Sequence, residues 1–378
     1  MTPKLIPVDM DYVRDVLVRL LRTPSPSGRT DEVMHLIGQE LTTMQVPFEL
    51  TRRGALVANL QGEQDSPDRA VVVHSDTIGC IVKRIKDNGR LQVSPIGTFS
   101  ARFAEGARVV VLGDDPGVTC TGTILPLKAS GHTFGDEVDT QKVGWGQVEV
   151  RLDELVETPA ETVALGIQVG DFVALDAEPV VTRSGFVKSR HLDDKAGVAA
   201  VLGAFKTVVD HEVELPVSAH LLITIAEEIG QGASHGLHAD VAEMVSIDNA
   251  VVAPGQCSKE TGVNVAMQDS SGPFDYHLTR KLLRLCAELG IPAQRDVYNY
   301  YRSDIASALE AGAETRAALI GFGVDASHGH ERTHLDGIRN CAELVAAYLQ
   351  TPLTFAWDAK PRGPLEEFPT QEQVERIL

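Results

Sequence analysis

The chain has 378 residues and a formal net charge of −19, from 34 basic and 53 acidic side chains. With 43% apolar and 23% charged residues it reads as globular, and so acidic a surface, with no basic run, excludes nucleic acid and membrane as partners. No stretch is apolar enough to span a bilayer, and the N-terminus lacks a basic segment followed by an apolar one, so a cytoplasmic protein is expected.

This length exceeds the usual size of one hydrophobic core, which predicts a large domain and a smaller one. The five cysteines are scattered, odd in number and show no CxxC pair, which argues against a disulfide framework and a thiolate zinc site. Residues 10–22 carry apolar side chains at helical spacing. TPSPSG then breaks the chain before a second amphipathic helix over 31–44, with Thr30 as its N-cap. VPFELTRRGALVANL and DRAVVVHSD read as strands. Between 79 and 176, short Val-, Ile-, Thr- and Gly-rich segments alternate with turn signals such as KDNGR and LGDDPG, so a small β-rich insert is expected there. Residues 1–78 and 177–378 then form the main domain.

After the insert a β–α rhythm resumes. The helix KAGVAAVLGAFKTVV leads to the strand VSAHLLITIA, and the short strand EMVSI and the strand GVNVAM follow. Then come the helix PFDYHLTRKLLRLCAEL, the strand PAQRDVYNY, the helix SDIASALEA, the strand RAALIGFGV and the helix LDGIRNCAELVAAYL. Such alternation predicts an α/β fold whose mostly parallel sheet is sandwiched by helices. From about Thr351 the chain is expected to run as an extended tail ending in a short helix.

The acids and imidazoles fall in a positional pattern. His74 follows VVV, Glu227 and Glu228 follow LLITIA, Asp248 follows MVSI, and His328 lies beyond ALIGFGV. Each is expected at or just past the C-terminal end of a strand, where open α/β sheets form their ligand crevice. Asp193 and Asp194 precede a helix, whose N-terminal dipole favours negative charge. Imidazole and carboxylate donors suit zinc, cobalt or manganese. Gathering so many carboxylates without a cation is costly, because like charges at close range cannot all stay ionised. Two divalent ions would remove that cost and activate a water between them.

At these residues the chain resembles the tetrahedral and glutamyl aminopeptidases, cytoplasmic two-metal exopeptidases, over nearly its whole length to about residue 350. HSDTIGCIVKRIKDNGRLQVSPIG is similar to that family's HxDEIGFMV segment, RHLDDKAGVAA to its LDDR/K-AG motif, and TIAEEIGQGA to its EE(V/I)G motif. SIDNA resembles its aspartate ligand strand, YRSDIASA its GTDA segment, and ASHGHERTH its terminal HSxxE motif. The resemblance implies a zinc exopeptidase fold with a PDZ-like insert that mediates dimerisation. It implies two divalent ions, zinc foremost, with His74 and Asp248 on one, Glu228 and His328 on the other, and Asp193 bridging. Glu227 would be the general base, Asp76 would orient the His74 ring, and the Asp193–Asp194 peptide would be cis. The implied substrate is a short peptide, and the implied assembly a homo-oligomer, dimer or dodecamer.

Three departures stand out: Thr77 replaces an acid, HGHER replaces HSxxE so that His330 and His334 compete with His328, and YYRSD replaces a glycine-rich stretch. Arg302, Asp304 and His132 are candidate substrate contacts. GTILPLKASGHTF, SRHLDDKAGVAA, DSSGPFDYHLTRKLL and FGVDASHGHERTHLD look like a subgroup associated with the osmoprotectant N-acetylglutaminylglutamine amide. An amidohydrolase acting on such N-acylated dipeptides is therefore the alternative to an aminopeptidase, and an inactive binding scaffold is the second.

Overall fold

A computed structural model of the protein describes residues 3–115, 117–360 and 363. Its main sheet is mixed. Four neighbouring strands, Val217–Thr224, Gln64–His74, Glu243–Val252 and Arg316–Asp325, run parallel at its centre. Both flanks pair antiparallel: Phe48–Leu50 and Leu56–Leu60 on one side, and Glu331–His334, Phe186–Ser189 and Val180–Val181 on the other. The central strands are near-continuous apolar runs because both their faces are covered by helices. The helix Leu192–Asp210, buried almost throughout, packs between Met10–Arg22 and Leu335–Leu349 against the sheet.

The insert is a closed six-stranded barrel drawn from Gly79–Ile85 through Phe172–Leu175, with a hydrophobic core of its own. Closure gives each strand a neighbour on both sides in a module too small to cover a sheet with helices.

Most expected elements lie within a few residues of their sequence positions. VPFELTRRGALVANL is two strands with a turn between them rather than one. The second helix ends at Thr43, and Thr30 holds the N-cap position without a side-chain hydrogen bond. The strand expected as EMVSI continues to Val252, because Arg316–Asp325 pairs with it along its full length. The tail expected after Thr351 includes a single 3-10 turn at Ala356–Ala359; residues 361, 362 and 364–378, with the short helix expected there, lie outside the described residues.

At the end of the sheet where the parallel strands begin, a buried ionic cluster anchors the segment after the last helix. Arg69 donates to the carbonyls of Tyr348 and Thr351 at 2.6 Å each, and its guanidinium stacks over the Tyr348 ring. Glu243 accepts from the Tyr348 hydroxyl at 2.7 Å and from Lys281 at 3.4 Å, and also takes the backbone N–H of Thr354. Burial pushes the Glu243 carboxyl upward, but Lys281 and Arg69 outweigh burial and hold it at about 2, against an ordinary 4.5. This stabilisation is therefore complete above about pH 4.5 and is lost as the pH falls toward 2. Glu243→Ala leaves Lys281 buried beside Arg69 and is expected to cost about 3–5 kcal/mol in urea denaturation; a loss below about 1 kcal/mol would show that the cluster relaxes freely.

Candidate metal centre

The C-terminal ends of the parallel strands converge on the floor of a cleft of about 1030 Å³. His74 is the last residue of its strand. Glu227 and Glu228 follow Thr224, the last residue of theirs, in a tight turn closed by Gly230 N–H donating to the Glu227 carbonyl at 2.7 Å. Asp248 sits within its strand rather than after it, just past Ser246, where pairing with the His74 strand stops. The open edge beyond that point exposes it to the cleft. Asp193 and Asp194 adopt non-helical conformations at the head of their helix, and the peptide between them is cis. His328, at φ 64°, follows the strand Arg316–Asp325 in a left-handed turn that aims its ring inward.

Asp193 is the hub. Its Oδ1 lies 3.0 Å from His74 Nε2 and its Oδ2 lies 3.3 Å from His328 Nε2. His328 Nε2 is also 3.4 Å from Glu228 Oε2. On the other side, His74 Nε2 is 3.8 Å from Glu227 Oε2 and 4.0 Å from Asp248 Oδ1. Two donor groups result, His74/Glu227/Asp248 and Asp193/Glu228/His328, each with its ligand atoms within 4.8 Å of one another.

The charge balance of this cluster calls for cations. Burial, reinforced by the nearby charge of Asp193, raises the Asp248 carboxyl well above its ordinary value. Burial lifts Glu228 to about 7 despite the opposing pull of His328. Glu227 is raised by burial and by Asp248, Asp304 and Glu228. Burial disfavours the His328 imidazolium, yet Glu228 and Asp193 lift it to about 10. The acids thus hold protons, and the imidazoles charge, in the places a divalent ion would take. The donor set, imidazole nitrogen and carboxylate oxygen, fits zinc-class ions.

The other candidate residues surround this cluster or stand away from it. The His74 Nδ1 partner is the Asp76 backbone carbonyl at 3.0 Å, with the Asp76 carboxylate at 3.6 Å. That carboxylate also accepts from Ser27 Oγ at 2.5 Å and from the N–H groups of Glu227 and Glu228 at 3.1 and 3.3 Å, so it positions the glutamate turn as well. Asp304, expected at the substrate, is buried and accepts from Thr224 Oγ1 and Ala233 N–H, because it braces the loop behind the glutamates. Arg302 lines the cleft and pairs with Glu310 at 2.8 Å. His132 is exposed on the barrel and does not line this cleft. Thr77 pairs its backbone with Ser25 and Ser27. His330 is exposed, and His334 caps the next helix, its ring bonded to the Ser184 carbonyl.

Residues without an expected role complete the cluster. Glu331 accepts from the N–H of His328 at 2.8 Å and of Asp193 at 3.2 Å, clamping two halves of the site together. Asn249 donates to Asp193 Oδ2 at 2.5 Å. The Tyr301 hydroxyl faces the Asp248 carboxylate. The barrel's 97–103 segment forms one wall, and its Thr98 carbonyl lies 3.0 Å from His328 Nδ1, fixing that ring.

A mixed sheet carrying this cluster at its strand ends, with a small barrel inserted, defines the zinc exopeptidase class. The M42 glutamyl aminopeptidase family model matches residues 54–344, and the chain belongs to that family of metal-dependent aminopeptidases. It is 38% identical to YhfE of Bacillus subtilis (strain 168) over 339 residues, 90% of this chain and 97% of that one. Among solved structures, aminopeptidase APDkam598 from the archaeon Desulfurococcus kamchatkensis superposes with a TM-score of 0.83 at 23% identity, covering 94% of this chain and 99% of that one. The Pyrococcus horikoshii TET1 peptidase superposes at 0.78 and 23% identity, covering 89% and 99%. No helix among the described residues is long and apolar enough to cross a membrane.

Because bound protons must leave before an ion enters, metal affinity is expected to rise between pH 6 and 8, as Glu228 titrates near 7. Isothermal titration in buffers of different ionisation enthalpy should register proton release on loading. Pairing His328→Ala with His330→Ala isolates the last ligand: the first should lower metal stoichiometry, and the second should leave it unchanged.

Proposed function

We propose that this protein is a two-metal aminopeptidase of short peptides, with His74 and Asp248 holding one ion, Glu228 and His328 the other, and Asp193 between them. The observation that carries this reading is the position of Asp193, whose two oxygens face one imidazole each. Zinc is the ion favoured by the donor set. When bound, two such ions would supply Lewis acidity and lower the pKa of the attacking water to roughly 7.

The chain's own groups do the rest. Glu227, at the rim of the first donor group and facing the cleft, takes a proton from the attacking water and returns it to the departing amine. Burial and the acids around it raise the Glu227 carboxyl, and divalent charge in the two donor groups would favour the ionised form that accepts a proton. Asp76 keeps Glu227 and Glu228 in register through their backbone N–H groups. Glu331 and Asn249 hold Asp193 toward both donor groups.

We divide the chain into a catalytic unit of residues 1–78 and 177–378 and an insert of 79–176 that shapes access to the cleft. The Pyrococcus horikoshii peptidase, described as assembling into a tetrahedron or octahedral shell, supports a homo-oligomer here as well. Five free cysteines, one of them exposed, support a reducing, cytoplasmic compartment. A second substrate reading, an N-acylated dipeptide of osmolyte type, draws support from the outer cleft. Gln256, Asn299 and Arg302 there offer partners for amide groups.

Glu227→Gln should retain its metal and lose about 10²–10⁴-fold in kcat; near-normal turnover would exclude Glu227 as the base. A screen of metal-loaded enzyme on matched free-amine and N-acetylated dipeptides separates the substrate classes. Cleavage of the free-amine set alone is the expected result.

A further inference from the structure

At the opposite end of the sheet lies a second cluster of ligating side chains that the hydrolytic centre does not use. Asp68 is on the same strand as His74 but six residues earlier, about 20 Å away along an extended chain. His220, on the adjacent strand Val217–Thr224, points its Nδ1 at Asp68 Oδ2 from 3.0 Å. His238, from the loop before Glu243–Val252, brings its Nδ1 to the same oxygen at 2.7 Å. The two rings stack at 3.9 Å between centroids, tilted by 32°.

We propose that Asp68, His220 and His238 form a third divalent-metal site, of zinc class, distinct from the hydrolytic centre. Three elements converge two imidazole nitrogens and a carboxylate so that all three ligand atoms lie within 4.8 Å of one another. Two nitrogens and one oxygen make a borderline donor set that suits zinc, cobalt or nickel and is poor for calcium or magnesium. Both rings crowd one carboxylate oxygen, while the other oxygen, Asp68 Oδ1, is buried without a hydrogen-bond partner, as is His220 Nε2. Two hydrogen bonds alone would be better served by sharing the two oxygens. An ion at the convergence point uses both nitrogens and gives the carboxylate the positive charge that its neighbours do not supply. The ion pairs of Asp68 among the described residues are with these two histidines, because the adjacent Arg69 turns to the Tyr348 and Thr351 carbonyls.

Zinc–nitrogen bonds of about 2.0–2.1 Å set tetrahedral ligand atoms roughly 3.3 Å apart, so the rings need to spread by about half an ångström. His238 has that freedom, since its side chain is 37% exposed and its loop lies at the surface. The exposed side leaves room for water as the remaining ligand. The consequence is structural: the ion staples the loop around His238 to the two strands beneath it, through His220 and Asp68.

The test uses the full chain, dialysed against Zn(II) or Co(II) and measured for bound metal and thermal midpoint. His238→Ala changes a part-exposed loop residue and should fold, and His238→Gln serves as a second variant if it does not. Each should bind one ion fewer than the unsubstituted protein. In an Asp193→Ala background, which removes the bridging carboxylate of the hydrolytic centre, one ion should remain and raise the midpoint. Adding His238→Ala to that background should abolish both the ion and the rise. Equal stoichiometry with and without His238 in both backgrounds would overturn the proposal and leave the cluster a hydrogen-bonded triad. Asp193→Ala retaining every ion would instead count against the hydrolytic centre, while the His238 difference still reports on this site.

Discussion

The structure depends on a concentration of buried negative charge. Asp193, Asp194, Glu227, Glu228, Asp248 and Glu331 meet in one region where burial, reinforced by their mutual repulsion, drives most of their carboxyls upward. Asp193 is the exception: hydrogen bonds from His328 and His74 overcome its burial and hold it ionised. That leaves a permanent anion between two imidazoles, ringed by acids that keep their protons. Such a cluster is costly to fold around unless cations complete it. Its persistence here is the physical argument for a metal centre.

The surrounding fold bears that cost by over-determining each ligand. Backbone groups do much of the work: the Asp76 carbonyl fixes one imidazole and the Thr98 carbonyl the other. The second contact comes from the inserted barrel, so the barrel is coupled to the centre through the orientation of His328 as well as through the cleft wall. The helix after Asp194 is held equally closely. A Cβ on Gly197 would lie 2.1 Å from the Asp194 carboxylate, which explains a glycine early in this helix. Lys195 donates to the carbonyls of Leu20 and Thr23, joining the same motif to the end of the first helix.

Much of this was legible in the sequence, for reasons of periodicity and strand ends. Apolar runs marked the parallel strands, and polar residues just beyond them marked His74, Glu227, Glu228 and His328. Asp248 was found by the same rule although its strand runs on. Its access to the cleft comes from pairing with the neighbouring strand that stops at Ser246, which no local pattern encodes. Asp304 was misplaced because an acid beside a ligand motif looks alike whether it faces substrate or braces a loop. Glu331 and Asn249 lay in recognised segments, yet their roles depend on backbone N–H and side-chain contacts across the site. The pairings of Asp68 with His220 and His238 span 152 and 170 residues, a distance over which local sequence carries no signal.

Asp193 is proposed to stand between two ions. Anomalous scattering from crystals grown with Zn(II) tests it directly. Two peaks about 3.5–4 Å apart, one beside His74 and Asp248 and one beside Glu228 and His328, with Asp193 contacting both, are predicted. A single peak, or two peaks that Asp193 does not join, would contradict it.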